Sequence, residues 1–151
     1  MPQPMAELSR LLSVNRVLSV ALLAALSAQV IKFLFYWGAR RRARLDRLVG
    51  AGGMPSSHSA MVAALATAVG YDYGWTSALF AVSCVFGLVV LYDAIGVRRT
   101  VGLQSRYLNR VSRTRKEFDV LDREFPEYVG HTPREVVAGA LWGILISWWL
   151  H

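Results

Sequence analysis

Gly53-Met54-Pro55-Ser56-Ser57-His58-Ser59-Ala60 reads as the entrance to a helix that carries a histidine in its first turn. Gly53 and Pro55 interrupt any preceding helix, Ser56 or Ser57 can cap the next one, and Ala60 to Val69 is an apolar, alanine-rich run. Unpaired backbone N–H groups, three serine hydroxyls and the positive end of the helix dipole converge at that point, which suits an anionic ligand such as phosphate. The same residues equally describe an ordinary capped helix whose His58 is a polar residue at a membrane interface.

The rest of the chain supplies the membrane. A 151-residue sequence with 54% hydrophobic residues and a mean hydropathy of +0.35 is too apolar for a soluble domain of this size. We therefore expect a single integral-membrane domain over residues 1–151: an all-α, polytopic helical bundle of about four spans plus one or two amphipathic interfacial helices. Val17 to Trp37 is about 30 Å long as a helix and ends in Phe33, Phe35, Tyr36 and Trp37, the aromatic belt of a first span. It lacks a convincing cleavage site and is expected to stay in the mature protein. Lys32 near its end reads first as a lysine that snorkels to the headgroups. Ser57 to Gly70 reaches only about 21 Å, short for a full crossing, so its glycine-rich entrance is expected to dip into a recessed polar pocket. Tyr71 to Trp75 is an aromatic turn, Ser77 to Ile95 a third span, and Val136 to Leu150 the last. Cys84, alone in an apolar run, reads as a small packed hydrophobe.

Between the third and last spans the chain turns polar. Val97, Val101, Leu108, Val111, Phe118 and Phe125 recur at helical spacing, interrupted by Gln104 and Arg115, which predicts one or two helices lying on the membrane. Thr132-Pro133-Arg134-Glu135 has the form of a capping box with proline at the first helical position. Gly139 and Gly143 make a G-x-x-x-G pair, read as close helix packing, and a homo-oligomer is left open.

Charge orients the bundle. Fifteen of the 17 Lys and Arg residues fall on the side of Lys32, His58 and His131, leaving Arg10 and Arg16 opposite, so that side is expected to be cytoplasmic, or stromal in a plastid. The net charge of +7 flanks spans and comes with no base-stacking motif, which argues against nucleic acid and for anionic membrane lipids as partners.

Two histidines at separate helix starts, a glutamate one turn after the second, and Lys32, Asp93 and Arg98 at two span ends are a plausible phosphate site. Pro55-Ser56-Ser57-His58 resembles the Pro-Ser-Gly-His motif of the type 2 phosphatidic acid phosphatase and vanadium haloperoxidase superfamily, and His131-x-x-x-Glu135 its His-x-x-x-Asp motif. The longer strings Gly-Gly-Met-Pro-Ser-Ser-His-Ser-Ala, Tyr-Asp-Ala-x-Gly-Val-Arg-Arg and Gly-His-Thr-Pro-x-Glu-Val are similar to the divergent membrane branch of that superfamily. The resemblance implies hydrolysis of a phosphorylated lipid without metal or other cofactor, through a phosphohistidine. It makes His131 the nucleophile, Glu135 its orienting acid and His58 the proton donor, with Lys32, Ser56 and Ser57 at the phosphoryl oxygens and Asp93 structural or orienting. The pattern departs in places: no Arg-Pro follows Lys32, Ser57 stands where the family has glycine, and Phe125 stands where an arginine precedes the second histidine, a role that would pass to Arg98. Two other readings of the residues stay open. One is a protein that binds a phosphorylated lipid without hydrolysing it; the other is a metal site built from His58, Asp93, His131 and Glu135.

Overall fold

A computed structural model describes residues 15–40, 53–114, 124–127 and 129–151. The lead-in before residue 15, the arginine and glycine run over 41–52, and Arg115 and Phe118 of the amphipathic stripe lie outside the described residues. Among the described residues five helices follow in order: α1 Arg16–Arg40, α2 Ser57–Tyr73, α3 Ala78–Ile95, α4 Val97–Thr114 and α5 Pro133–Leu150. The chain is all-α, as its composition predicts.

Their ends are set locally. Ser56 caps α2 and Ser77 caps α3, each accepting a hydrogen bond from the backbone N–H three residues on. Thr132 caps α5 with the full capping box, its hydroxyl on the N–H of Glu135 and the Glu135 carboxylate on its own N–H. One boundary differs from expectation. Tyr71 to Tyr73 are still helical and the turn starts at Gly74, whose positive φ of 91° is open to glycine at no steric cost.

Packing is organised by small residues repeated every fourth position. Val20, Ala24 and Ala28 of α1 meet Ala60, Ala64 and Ala68 of α2 in one buried cluster. α5 packs against α2 as closely: a Cβ at Gly139 would strike the carbonyl of Ser56, and one at Gly143 that of Ala60. The G-x-x-x-G pair is thus a packing seam inside the chain. Between helices in lipid the apolar solvent supplies little drive, so close backbone approach and dispersion contacts are what hold such a seam. α2 packs against α1, α3 and α5 and lies at the centre.

The large side chains point the other way. Leu22, Leu26, Val82, Phe86, Leu141 and Trp148 are all exposed on the outer faces of α1, α3 and α5, far more apolar surface than a soluble monomer leaves to water. Two helical runs, Arg16–Phe35 in α1 and the one that begins at Ala78 in α3, are long and apolar enough to cross a membrane.

Candidate active site

Each small-residue seam ends in a polar residue at the same end of the bundle. Four positions beyond Ala28 on α1 stands Lys32, four before Ala60 on α2 stands Ser56, and four before Gly139 on α5 stands Glu135, itself four after His131. The spacing keeps all of them on the buried sides of their helices. Lys32 is 1% exposed, so it does not snorkel outward; it is coupled electrostatically to Glu135 inside the bundle. The backbone N–H of Ser56 donates to the carbonyl of Glu135 at 3.1 Å, which ties the entrances of α2 and α5 together and sets their two histidines side by side.

His131 is 3% exposed and held at two points. Its backbone N–H donates to the carbonyl of Ala94 at 3.0 Å. Its Nδ1 lies 3.3 Å from Glu135 Oε2. Its Nε2 is buried with no hydrogen-bond partner among the described residues. The His58 ring is centred 6.4 Å from that of His131. Both line a pocket of about 200 Å³, together with Val89, Val90, Asp93, Ala94 and Arg98. Asp93 and Arg98 pair with each other at its edge.

The electrostatics favour a neutral His131 ring. Burial is the largest influence on His131 and holds its pKa below the ordinary 6.5; Glu135 pulls it up by hydrogen bond and charge, and Lys32 and His58 push it down again. With Glu135 Oε2 at Nδ1, a neutral ring places its proton there and leaves the Nε2 lone pair free. The same Oε2 accepts the Thr132 N–H at 2.9 Å. One oxygen therefore performs both the helix capping and the histidine orientation that compete for Glu135 on paper.

Of the residues singled out by sequence, the structure brings His58, Asp93, Arg98 and His131 to one pocket, with Glu135 and Lys32 directly behind. Ser56 and Ser57 are placed differently. The Ser56 hydroxyl is buried and accepts from both the N–H and the hydroxyl of Ser59, and neither Ser56 nor Ser57 lines the pocket. The three serine hydroxyls read as an anion site at this helix start are thus partly committed to one another. Among the described residues, no three His, Cys, Asp or Glu side chains converge as a metal cage requires.

Sequence reasoning missed the support beneath His131. The buried face of α4 is Gly102, Ser105 and Asn109, while Val97, Val101 and Leu108 of the apolar stripe are exposed. Asn109 binds the segment that leads to His131. A search for apolar periodicity passes over such a face because its members are small and polar; their helical spacing was the available signal.

A family model described as the divergent PAP2 family matches residues 13–146. The chain belongs to the divergent PAP2 family. It is also similar to an uncharacterized membrane protein, YuiD, of Bacillus subtilis strain 168, with 38% identity over 145 residues that cover 88% of this chain and 92% of that protein. No solved structure matches. Both histidine segments and the pocket between them fall inside the stretch that matches this divergent PAP2 family.

Proposed function

We propose that this chain is an integral-membrane phosphatase that hydrolyses a phosphorylated lipid through a phosphohistidine on His131. The observation that carries the reading is the His131 ring: Nδ1 at a carboxylate, Nε2 buried and unpartnered among the described residues, and a second histidine across a small pocket. Nε2 attacks phosphorus and forms the P–N bond while the bond from phosphorus to the leaving oxygen breaks. His58 gives its proton to that oxygen, and the lipid alcohol departs, or the shortened lipid phosphate when the substrate is a diphosphate. His58, now neutral, takes a proton from water as the water attacks phosphorus. The P–N bond breaks and inorganic phosphate leaves. Glu135 offsets the positive charge on the His131 ring in the intermediate, and Arg98 and Lys32 offset the charge on the phosphoryl oxygens.

In this reading α1, α2, α3 and α5 are the four spans and the pocket opens on the cytoplasmic, arginine-rich side. α4 lies on the membrane surface, its exposed Val101 and Leu108 toward acyl chains and its arginines toward anionic headgroups. Phosphatidic acid, phosphatidylglycerophosphate and isoprenyl diphosphate share the chemistry the pocket would take.

The test is release of inorganic phosphate by the purified protein from each of these lipids in mixed micelles, with and without EDTA. We expect turnover on at least one, unaffected by chelation and lost in His131→Asn. Wild-type turnover by a folded His131→Asn protein removes the phosphohistidine. Saturable binding of a phosphorylated lipid without turnover establishes the non-catalytic reading instead.

A further inference from the structure

Residues 124–127 and 129–131 lie along α4 in the opposite sense. Beginning far from the pocket, Glu124 pairs with Arg113 at 2.6 Å. Phe125 is bound by the Asn109 amide at both backbone groups: its N–H donates to Oδ1 at 3.0 Å and its carbonyl accepts from Nδ2 at 2.9 Å. Nδ2 also donates to Glu127 Oε1 at 3.0 Å. Further along, the carbonyls of Glu127 and Val129 press on Gly102 where any Cβ would clash, and Gly130, at a positive φ of 89°, lies against the backbone of Arg98 and Arg99. His131 closes the run with its N–H on Ala94 O.

These contacts differ in what they fix. The glycine contacts set the distance between segment and helix but have no direction, so they tolerate sliding. The Arg113–Glu124 pair is exposed, and Arg106 lies 3.8 Å from Glu127, a separation at which exposed ion pairs hold little. Register is left to two directional anchors, the Ala94 carbonyl beside the pocket and Asn109 at the far end. The Asn109 amide uses both of its N–H groups and its oxygen on the segment and is 3% exposed. It serves Phe125 as a neighbouring β-strand would, with one donor and one acceptor at fixed spacing.

We infer that Asn109 is a positioning residue for His131: by fixing the register of Phe125 and Glu127 on α4 it holds the His131 ring at the pocket between Glu135 and His58. The inference rests on the function proposed for that site. A slip of about 1 Å at a reacting atom costs on the order of 10²-fold in rate. Arg98, at the start of the same helix, does not depend on Asn109 for its place at the pocket mouth. Loss of Asn109 should therefore act on turnover more than on capture of the lipid.

The test uses the full chain in detergent, with Asn109→Ala and Asn109→Asp. The first readout is phosphate release; the second is the titration of the His131 ring by NMR of histidine-labelled protein, which needs no activity. For Asn109→Ala we expect helix content retained, kcat down about 10²-fold with KM little changed, and the His131 midpoint moved up toward 6.5 as the ring loses its buried seat. Asn109→Asp keeps the acceptor for the Phe125 N–H but turns a carboxylate oxygen on the Phe125 carbonyl and on Glu127, so it should behave like Asn109→Ala, whereas Glu127→Gln, which keeps an acceptor for Asn109 Nδ2, should stay near the parent. If Asn109→Ala does not fold, that pair carries the test. Unchanged kcat and an unchanged His131 titration in folded Asn109→Ala overturn the inference, as does an Asn109→Asp protein with the kcat and titration of Glu127→Gln. A wild type that releases no phosphate from any phosphorylated lipid sinks the proposed function, while the ring titration still decides whether Asn109 positions His131.

Discussion

Replacing Glu135 by glutamine separates the two tasks that meet at its Oε2. The oxygen accepts the Thr132 N–H at 2.9 Å and lies 3.3 Å from His131 Nδ1. Glutamine is also a capping-box residue, and its amide oxygen can take the Thr132 N–H, so the start of α5 should survive with little loss. What the amide cannot supply is charge. In the proposed reaction the phosphorylated His131 ring is cationic, and a carboxylate at 3.3 Å stabilises it by about 5 kcal/mol at an effective dielectric constant of about 20. Partial charge development at the transition state and the partial exposure of Glu135 reduce this to roughly 3–5 kcal/mol, or about 10² to 10⁴ in rate at 1.36 kcal/mol per decade. The assay is phosphate release by folded Glu135→Gln in parallel with His131→Asn and the double variant. Nucleophile and orienter act as one unit, so the double variant should be scarcely slower than His131→Asn alone. Wild-type turnover by Glu135→Gln, with the helix content of the parent, would refute the charge argument and leave Glu135 as a cap.

Four further outcomes are expected. Attack requires neutral His131, whose pKa is held below 6.5 by burial, so the acid limb of the rate should lie below that value; Glu135→Gln removes an influence that raises the pKa and should move the limb lower still, which a rate–pH profile reads. The same group stabilises the fold fully above 6.5, and that contribution is lost as pH falls through the depressed folded value, so the melting temperature should drop in that window. Gly143→Ala forces a methyl against the Ala60 carbonyl and should cost roughly 1–3 kcal/mol of stability, whereas Leu141→Ala on the outer face should cost little; thermal unfolding in one detergent compares them. With Cys84 replaced, single cysteines at Arg110 and Thr76 should react with an impermeant maleimide from opposite sides of the membrane. Labelling of both from outside the cell contradicts the orientation read from the arginine asymmetry.

The helix starts of this protein were legible because caps are local. Ser56, Ser77 and Thr132 each bond a backbone N–H three residues on, and no distant contact is needed to place them. The all-α architecture and the two histidines at helix entrances followed from the same short-range logic. The fate of the residues within each face was harder to read. In a membrane, lipid and protein interior are both apolar, so hydropathy does not tell the packed side of α1 from its outer side; residue size does, and Ala24, Ala28, Ala60, Ala64 and Gly139 marked it.

Taken by itself, the sequence determined which residues stand at helix ends, and it placed His58, His131 and Glu135 with the arginines on one side of the bundle, because each of these is a matter of position along the chain. Tertiary structure alone decided where those side chains turn. Lys32 could have snorkelled outward, but its place in the Val20-Ala24-Ala28 row directs it inward toward Glu135. Ser59 could have offered its hydroxyl to an anion, but it is buried and donates to Ser56. The bed of His131, made of the Ala94 carbonyl, Gly102 and Asn109, comes from helices distant in sequence, brought beneath the segment by packing. Helical spacing sets the direction of a side chain around its own axis, and only the packing of whole helices decides what it meets there.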